Sequence, residues 1–171
     1  MPTIGVAVAI PEPWATQLQD YRTSLGDLTA TLIPTHITLI PPTEVEDEDL
    51  PVIEEHLRSV AETVAGFRVH LRGTGTFRPV SPVVFVTVAE GISGFEQLAD
   101  ALRSGPLEVP LEFAYHPHVT IAHHLDDERL DQAYAELADF ECTFAAEEFH
   151  LYVHTFTAGW RPTDEFRLGG R

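Results

Sequence analysis

Thr35-His-Ile-Thr-Leu-Ile-Pro-Pro42 and Pro117-His-Val-Thr-Ile-Ala-His-His124 share one core: histidine, aliphatic, threonine, aliphatic. Both segments are rich in β-branched residues, and both read as strands. Side chains two apart on a strand project from one face, so His36 stands with Thr38, and His118 with Thr120. The two histidines are separated by close to half of the 171 residues. Similar strand and helix signals accompany each copy, as a duplicated α/β lobe requires.

The surrounding pattern agrees. Ile4 to Ile10 reads as a strand ended by Pro11 and Pro13, and Trp14 to Leu25 carries helical spacing through Leu18, Tyr21, Leu25 and Leu28. The first motif strand is expected over Thr31 to Ile40, stopped by Pro41-Pro42. An acidic stretch, Glu44 to Asp49, leads into a helix with Pro51 in its first turn and Ile53, Leu57, Val60, Ala61 and Val64 on one face. Phe67 to Phe77 and Val83 to Val88 read as a hairpin across Arg78 to Pro82, with Gly73 and Gly75 marking a bulge or a close approach. A helix over Phe95 to Leu102 precedes the second motif, and another over Asp126 to Ala138 follows it. Cys142 to Thr157 is strand material broken at Glu147-Glu148, and Gly159 to Arg171 an edge strand with a frayed end. The expectation is one domain over 1–171, mixed α/β (α+β). It is built of two intertwined, pseudo-symmetric lobes whose antiparallel-dominated sheets flank a central cleft, with helices outside.

Composition narrows the function. The ten basic residues are all arginine against 27 acids, a formal net charge of −17. Such a chain repels a polyanion held by electrostatics alone, which argues against long or duplex nucleic acid. A small anion or a short RNA end is still compatible with a local pocket of donors. One cysteine, Cys142, permits no internal disulfide. No run approaches the roughly 20 apolar residues of a membrane helix, and the start lacks a secretory pattern. A cytoplasmic monomer without membrane contact is expected.

A histidine beside a threonine offers a proton donor or acceptor next to a hydroxyl that can hold an oxyanion. Two such pairs across a cleft can deprotonate a nucleophile and protonate a leaving oxygen, which is what metal-independent phosphodiester transfer needs. Arg78 and Arg161 are candidate suppliers of positive charge to the phosphate. The plain alternative makes each histidine a satisfied neighbour and each threonine strand filler. A rival reading gathers His116, His118, His123 and His124 as metal ligands, but it lacks a carboxylate or cysteine partner at recognisable spacing and leaves His36 unexplained.

His36-Ile-Thr-Leu39 and His118-Val-Thr-Ile121, with Tyr115 and Pro117 ahead of the second, resemble the paired His-x-Thr-x motifs of the two-histidine phosphoesterases. That family includes 2′-5′ RNA ligase-like proteins and RNA 2′,3′-cyclic phosphodiesterases, and the likeness spans Thr3 to about Phe166. The resemblance implies a bilobal fold with all four motif residues on the cleft. His36 and His118 become the acid/base pair, Thr38 and Thr120 the phosphate-binding hydroxyls, with no metal or other cofactor. It further implies that His36 protonates the departing 3′ oxygen while His118 activates water, ligation being the reverse. The implied substrate is a small cyclic phosphate or a short RNA end, and Tyr115 joins Arg78 and Arg161 as a candidate substrate contact. The competing class is a non-catalytic phosphate-binding module that kept the cleft.

Overall fold

The computed structural model describes residues 1–27, 30–108, 110–111 and 113–169. In chain order the elements are β1 (Thr3–Ala9), α1 (Trp14–Ser24), β2 (His36–Glu44), α2 (Leu50–Thr63), β3 (Phe67–Thr76) and β4 (Val83–Glu90). There follow α3 (Ile92–Leu102), β5 (His118–His123), α4 (Asp127–Glu136), β6 (Glu141–Ala146), β7 (Glu148–Thr155) and β8 (Gly159–Arg167). The expected mixed α/β architecture with antiparallel-dominated halves is present. Leu28, the last position of the expected α1 pattern, and the final two residues of the tail lie outside the described residues. No helix of the described residues is long and apolar enough to cross a membrane.

The strands form one sheet in the order β6-β3-β4-β5-β2-β1-β7-β8, every neighbouring pair antiparallel. The two four-stranded halves meet where β2 lies beside β5, and there the ladder holds one position, Ile37 opposite Val119. One half is closed by the chain's last strands, β7 and β8, whereas β6 returns to the other. The helices that link equivalent strands cross the seam: α1 packs against β5, and α3 against β2. Ile37, Leu39, Val119 and Ile121 have no exposed surface and seal the helix-covered face.

The internal repeat reaches further than the motifs. Thr38 lies opposite Ala7 on β1, and Thr120 opposite Phe85 on β4; His36 lies opposite Ala9, and His118 opposite Thr87. Val6-Ala-Val-Ala9 thus corresponds to Val84-Phe-Val-Thr87. Each motif strand also carries one extra residue at the same place, Leu39 between the partners of Ala7 and Val6, and Ile121 between those of Phe85 and Val84. Matched bulges sharpen the local twist immediately after each threonine.

Two local expectations need correction. The first motif strand starts at His36 rather than Thr31, since Thr31 to Thr35 run through turns and irregular backbone. It also passes through Pro41-Pro42 to Glu44. Proline removes a ladder donor, but β2 meets β5 only at Ile37, so beyond that point one edge of β2 asks for no such donor. The glycines of β3 behave as read. Gly73, at φ 74°, sits in the register shift between Leu71 and Thr74. A Cβ added to Gly75 would come within 2.7 Å of the Phe85 ring, so glycine there makes room for that phenylalanine.

The seam makes a direct prediction. Ile37→Ala should lower unfolding free energy by about 2–5 kcal/mol, because the cavity would lie between helices and sheet with little room to collapse. Val52→Ala, at a side chain 57% exposed, should change it by no more than about 0.5 kcal/mol. Urea denaturation of both variants checks the contrast.

Candidate active site

The Ile37–Val119 pair dictates where the motif side chains go. In an antiparallel ladder the flanking positions are cross-strand partners, so Thr38 faces His118 and His36 faces Thr120. All four project from the face opposite the helices, and the two histidines are diagonal neighbours. Diagonal neighbours across such a ladder are about 7–8 Å apart, their Cβ atoms somewhat less, a span that one phosphate with its oxygens can bridge. The structure therefore gathers His36, Thr38, His118 and Thr120 into a single constellation.

Both imidazoles are held in the same way. His36 Nδ1 is 2.5 Å from the carbonyl of Pro34, and His118 Nδ1 is 2.7 Å from the carbonyl of His116. A carbonyl only accepts, so each Nδ1 carries the proton and donates it. Each neutral ring is thereby left with a lone pair on Nε2, the atom free for proton transfer. Burial pushes both pKa values below the ordinary histidine value, against the carbonyl bonds, which raise them. The Arg22 guanidinium adds to the lowering at His36, and the His116 and His36 rings add to it at His118.

The surroundings of the two histidines differ. Phe77 meets the His118 ring edge-on at 4.9 Å, Phe85 lies at 5.3 Å, and His116 at 5.8 Å. Behind the first motif, the buried Arg22 of α1 donates through Nη1 to the Ile33 carbonyl (2.8 Å), the Thr35 hydroxyl (3.1 Å) and Gln19 Oε1 (3.1 Å), with Asp27 at 3.7 Å. It pins the segment whose next carbonyl orients His36. Sequence reading missed Arg22 and the two orienting carbonyls. The shared spacing of each carbonyl, two residues before its histidine, was the available signal.

The other candidates fare differently. Tyr115 donates its hydroxyl to the Thr38 carbonyl at 2.7 Å, while its ring packs on the core beneath Arg103. It ties the segment entering motif two onto the strand of motif one. The Arg78 guanidinium is already engaged, 2.8 Å from Asp131 and 3.8 Å from Asp127 on α4, and it also bonds Thr76. Arg161 lies on the outermost strand opposite Val153, a register that sets it on the sheet face away from His36. The four histidines of the metal reading do not assemble. The His123 and His124 rings lie 3.6 Å apart, tilted by 42°, and form a pair separate from His116 and His118. Among the described residues, the group of three potential ligands drawn together is Glu148, His150 and Glu165, which includes none of them.

A family model described as the 2′-5′ RNA ligase superfamily matches residues 10–156. A Bacillus cytotoxicus protein, provisionally named a phosphoesterase, is 32% identical over 140 residues, covering 81% of each chain. A Bacillus licheniformis protein of the same provisional name is 31% identical over 158 residues, covering 90% of this chain and 93% of its own. Among solved structures, a Thermus thermophilus protein superposes with a TM-score of 0.71 at 24% identity over 100% of both chains. Escherichia coli LigT, crystallised with NADP+, gives 0.71 at 21% identity over 98% of this chain and 97% of its own. At that identity the structures speak for the fold.

The lowered histidines have a consequence for stability. In the unfolded chain imidazole titrates near its ordinary value of about 6.5, whereas burial holds His36, His118 and His123 below it. Between those values the unfolded state binds more protons, so stability is complete above about pH 6.5 and falls as pH drops through the folded-state values. Urea denaturation at about pH 7.5 and 5.5 should show this loss, and the His36→Gln/His118→Gln double variant should lose less than the parent.

Proposed function

The chain belongs to the 2′-5′ RNA ligase superfamily, and from that membership we propose that it is a metal-independent phosphoesterase opening 2′,3′-cyclic phosphates of small nucleotides or short RNA ends. The observation that carries this reading is the pairing of Ile37 with Val119, which sets two histidine–threonine pairs face to face with Nε2 free on both rings. Escherichia coli LigT has been crystallised with 3′-AMP, ATP, NADP+ and phosphate, small phosphate-bearing molecules of the kind this cleft suits.

In this proposal His118 Nε2 takes a proton from water as the water oxygen bonds to phosphorus. The P–O3′ bond breaks, and His36, protonated at Nε2, donates to the departing 3′ oxygen. The product is a 2′-phosphomonoester with a free 3′ hydroxyl, and the pair ends with its protons exchanged. Thr38 and Thr120 donate to the non-bridging oxygens as charge builds on them. Ligation is the same ring-opening step with a 5′ hydroxyl in place of water: the 5′ oxygen bonds to phosphorus, P–O3′ breaks, and the product is a 2′-5′ phosphodiester. Both proton transfers are supplied by side chains, so the reaction asks for no Lewis acid.

Steady-state hydrolysis of 2′,3′-cyclic mononucleotides and short cyclic-phosphate-ended RNAs, in excess chelator, tests the proposal. Turnover should survive chelation and fall at least about a hundredfold in His36→Ala and in His118→Ala. The double variant should be little worse than either single one, since the two act as a unit. Loss of turnover on chelation, or a histidine variant near parental rate, sinks it.

The pH profile is a separate expectation. One histidine must start protonated and the other neutral, and both are held below the ordinary value. The bell for kcat/KM should therefore be centred on the acid side of about pH 6.5, with limbs that belong to the pair rather than to either ring. An optimum above about pH 7.5 would contradict the assignment of these two groups.

A further inference from the structure

Resting on the phosphoesterase reading above, we propose that a hollow beside the first motif is the subsite for the nucleobase of the substrate, and that Ala7, where the other lobe has Phe85, makes this subsite one-sided. The hollow has a volume of about 150 Å³ and is walled by Gly5, Ala7, His36, Thr38, Tyr152 and Trp160. His36 and Thr38 belong to both this wall and the four-residue constellation, so its occupant is a part of the molecule whose phosphate sits between the motifs.

The duplicated fold shows why only one lobe is open. Ala7 and Phe85 hold equivalent positions, opposite Thr38 and Thr120. In the second lobe the Phe85 ring lies over Gly75, and Phe77 packs on it at 4.6 Å. Those two rings fill beside His118 the space that small side chains leave empty beside His36. The first lobe takes its aromatic side chains from β7 and β8 instead: Trp160 lies over Gly5, and Tyr152 stands opposite Gly5 on the neighbouring strand.

Chemistry selects the occupant. The walls are largely apolar, with two aromatic rings, which suits a planar uncharged group. The volume is well below the roughly 300–1,000 Å³ of pockets for drug-sized ligands, so it takes one ring system, not a second nucleotide. Beyond Ala7 the same row of the sheet continues to His150 and Glu165. Glu148 stands in that group, its carboxyl raised above its ordinary range by burial and by Glu165. Those carboxylates repel a further phosphate on this side, while a neutral base meets no such opposition.

The test compares 2′,3′-cyclic AMP with glycerol 1,2-cyclic phosphate, which carries the same five-membered ring and no base. The native protein should favour the nucleotide in kcat/KM by about 10- to 100-fold, the range that stacking one base supplies. Ala7→Phe, which copies the second lobe, should erase most of that preference through KM, with kcat/KM for the glycerol compound changing less than about threefold. Trp160→Ala is the second variant should the first not fold, and it should erode the same preference. Equal use of both substrates by the native protein, or equal losses on both in the folded variants, overturns the subsite. If neither substrate is turned over, the phosphoesterase reading fails by itself, and titration calorimetry with 3′-AMP and with inorganic phosphate decides the hollow. Tighter binding of the nucleotide, lost in Ala7→Phe, sustains it; no difference between the two ligands overturns it.

Discussion

The Ile37–Val119 pair is the constraint from which the rest of the molecule is registered. A shift of one residue at this seam would turn His36 and Thr38 into the helix-covered core and bring Ile37 and Leu39 to the open face. The cost of burying unpaired imidazole and hydroxyl groups, together with the loss of apolar burial, makes the observed register the only economical one. The crossing of α1 onto β5 and α3 onto β2 then locks the halves, because each lobe's helix covers the other lobe's motif strand. The same short ladder permits the site. Away from the single pair, β2 and β5 share no ladder, and the hollow beside His36 and Thr38 is walled from the β1 side.

Much of this was legible in the sequence because it depends on period-two patterning. The recurrence of His-x-Thr-x was enough to place four side chains on two equivalent faces, and β-branched neighbours marked the strands. The sequence did not announce the second layer of the repeat. Val6-Ala-Val-Ala9 and Val84-Phe-Val-Thr87 agree at the core-facing valines, where packing on the helices restricts choice, and differ at the open-face positions, where it does not. Strand limits were misplaced for a related reason. A proline ends a strand that is paired on both sides, and whether Pro41 has a neighbour on its β5 side is a tertiary fact.

Candidate charges were the least legible part. Arg78 and Arg161 looked available because an arginine's partner is invisible until the chain folds; α4 brings Asp127 and Asp131 to the first, and β8 turns the second to the far face. The arginine that does bear on the site, Arg22, is buried behind it and works through backbone carbonyls and Thr35. The constellation thus presents hydroxyls and imidazoles rather than a fixed cationic clamp. That suits a chain with a net charge of −17, since recognition by donors over short distances is less exposed to the repulsion that the whole molecule exerts on polyanions.

The two histidines are alike in backbone setting, each bonding the carbonyl two residues before it, so the backbone provides no basis for distinguishing acid from base. The distinction has to come from what surrounds the rings. Around His118 stand two phenylalanines and a second histidine, which hold the ring firmly and oppose its protonation. Around His36 one wall is a hollow, and the charge behind it is a buried guanidinium. A symmetric pair of proton carriers would serve hydrolysis and its reverse equally, whichever way the substrate entered. In the proposed reaction, filling one lobe with its own aromatic rings and leaving the other open would give the substrate one orientation, and with it each histidine a single task. The substitution of one small residue for one large one, at equivalent points of a duplicated sheet, is sufficient to break that symmetry.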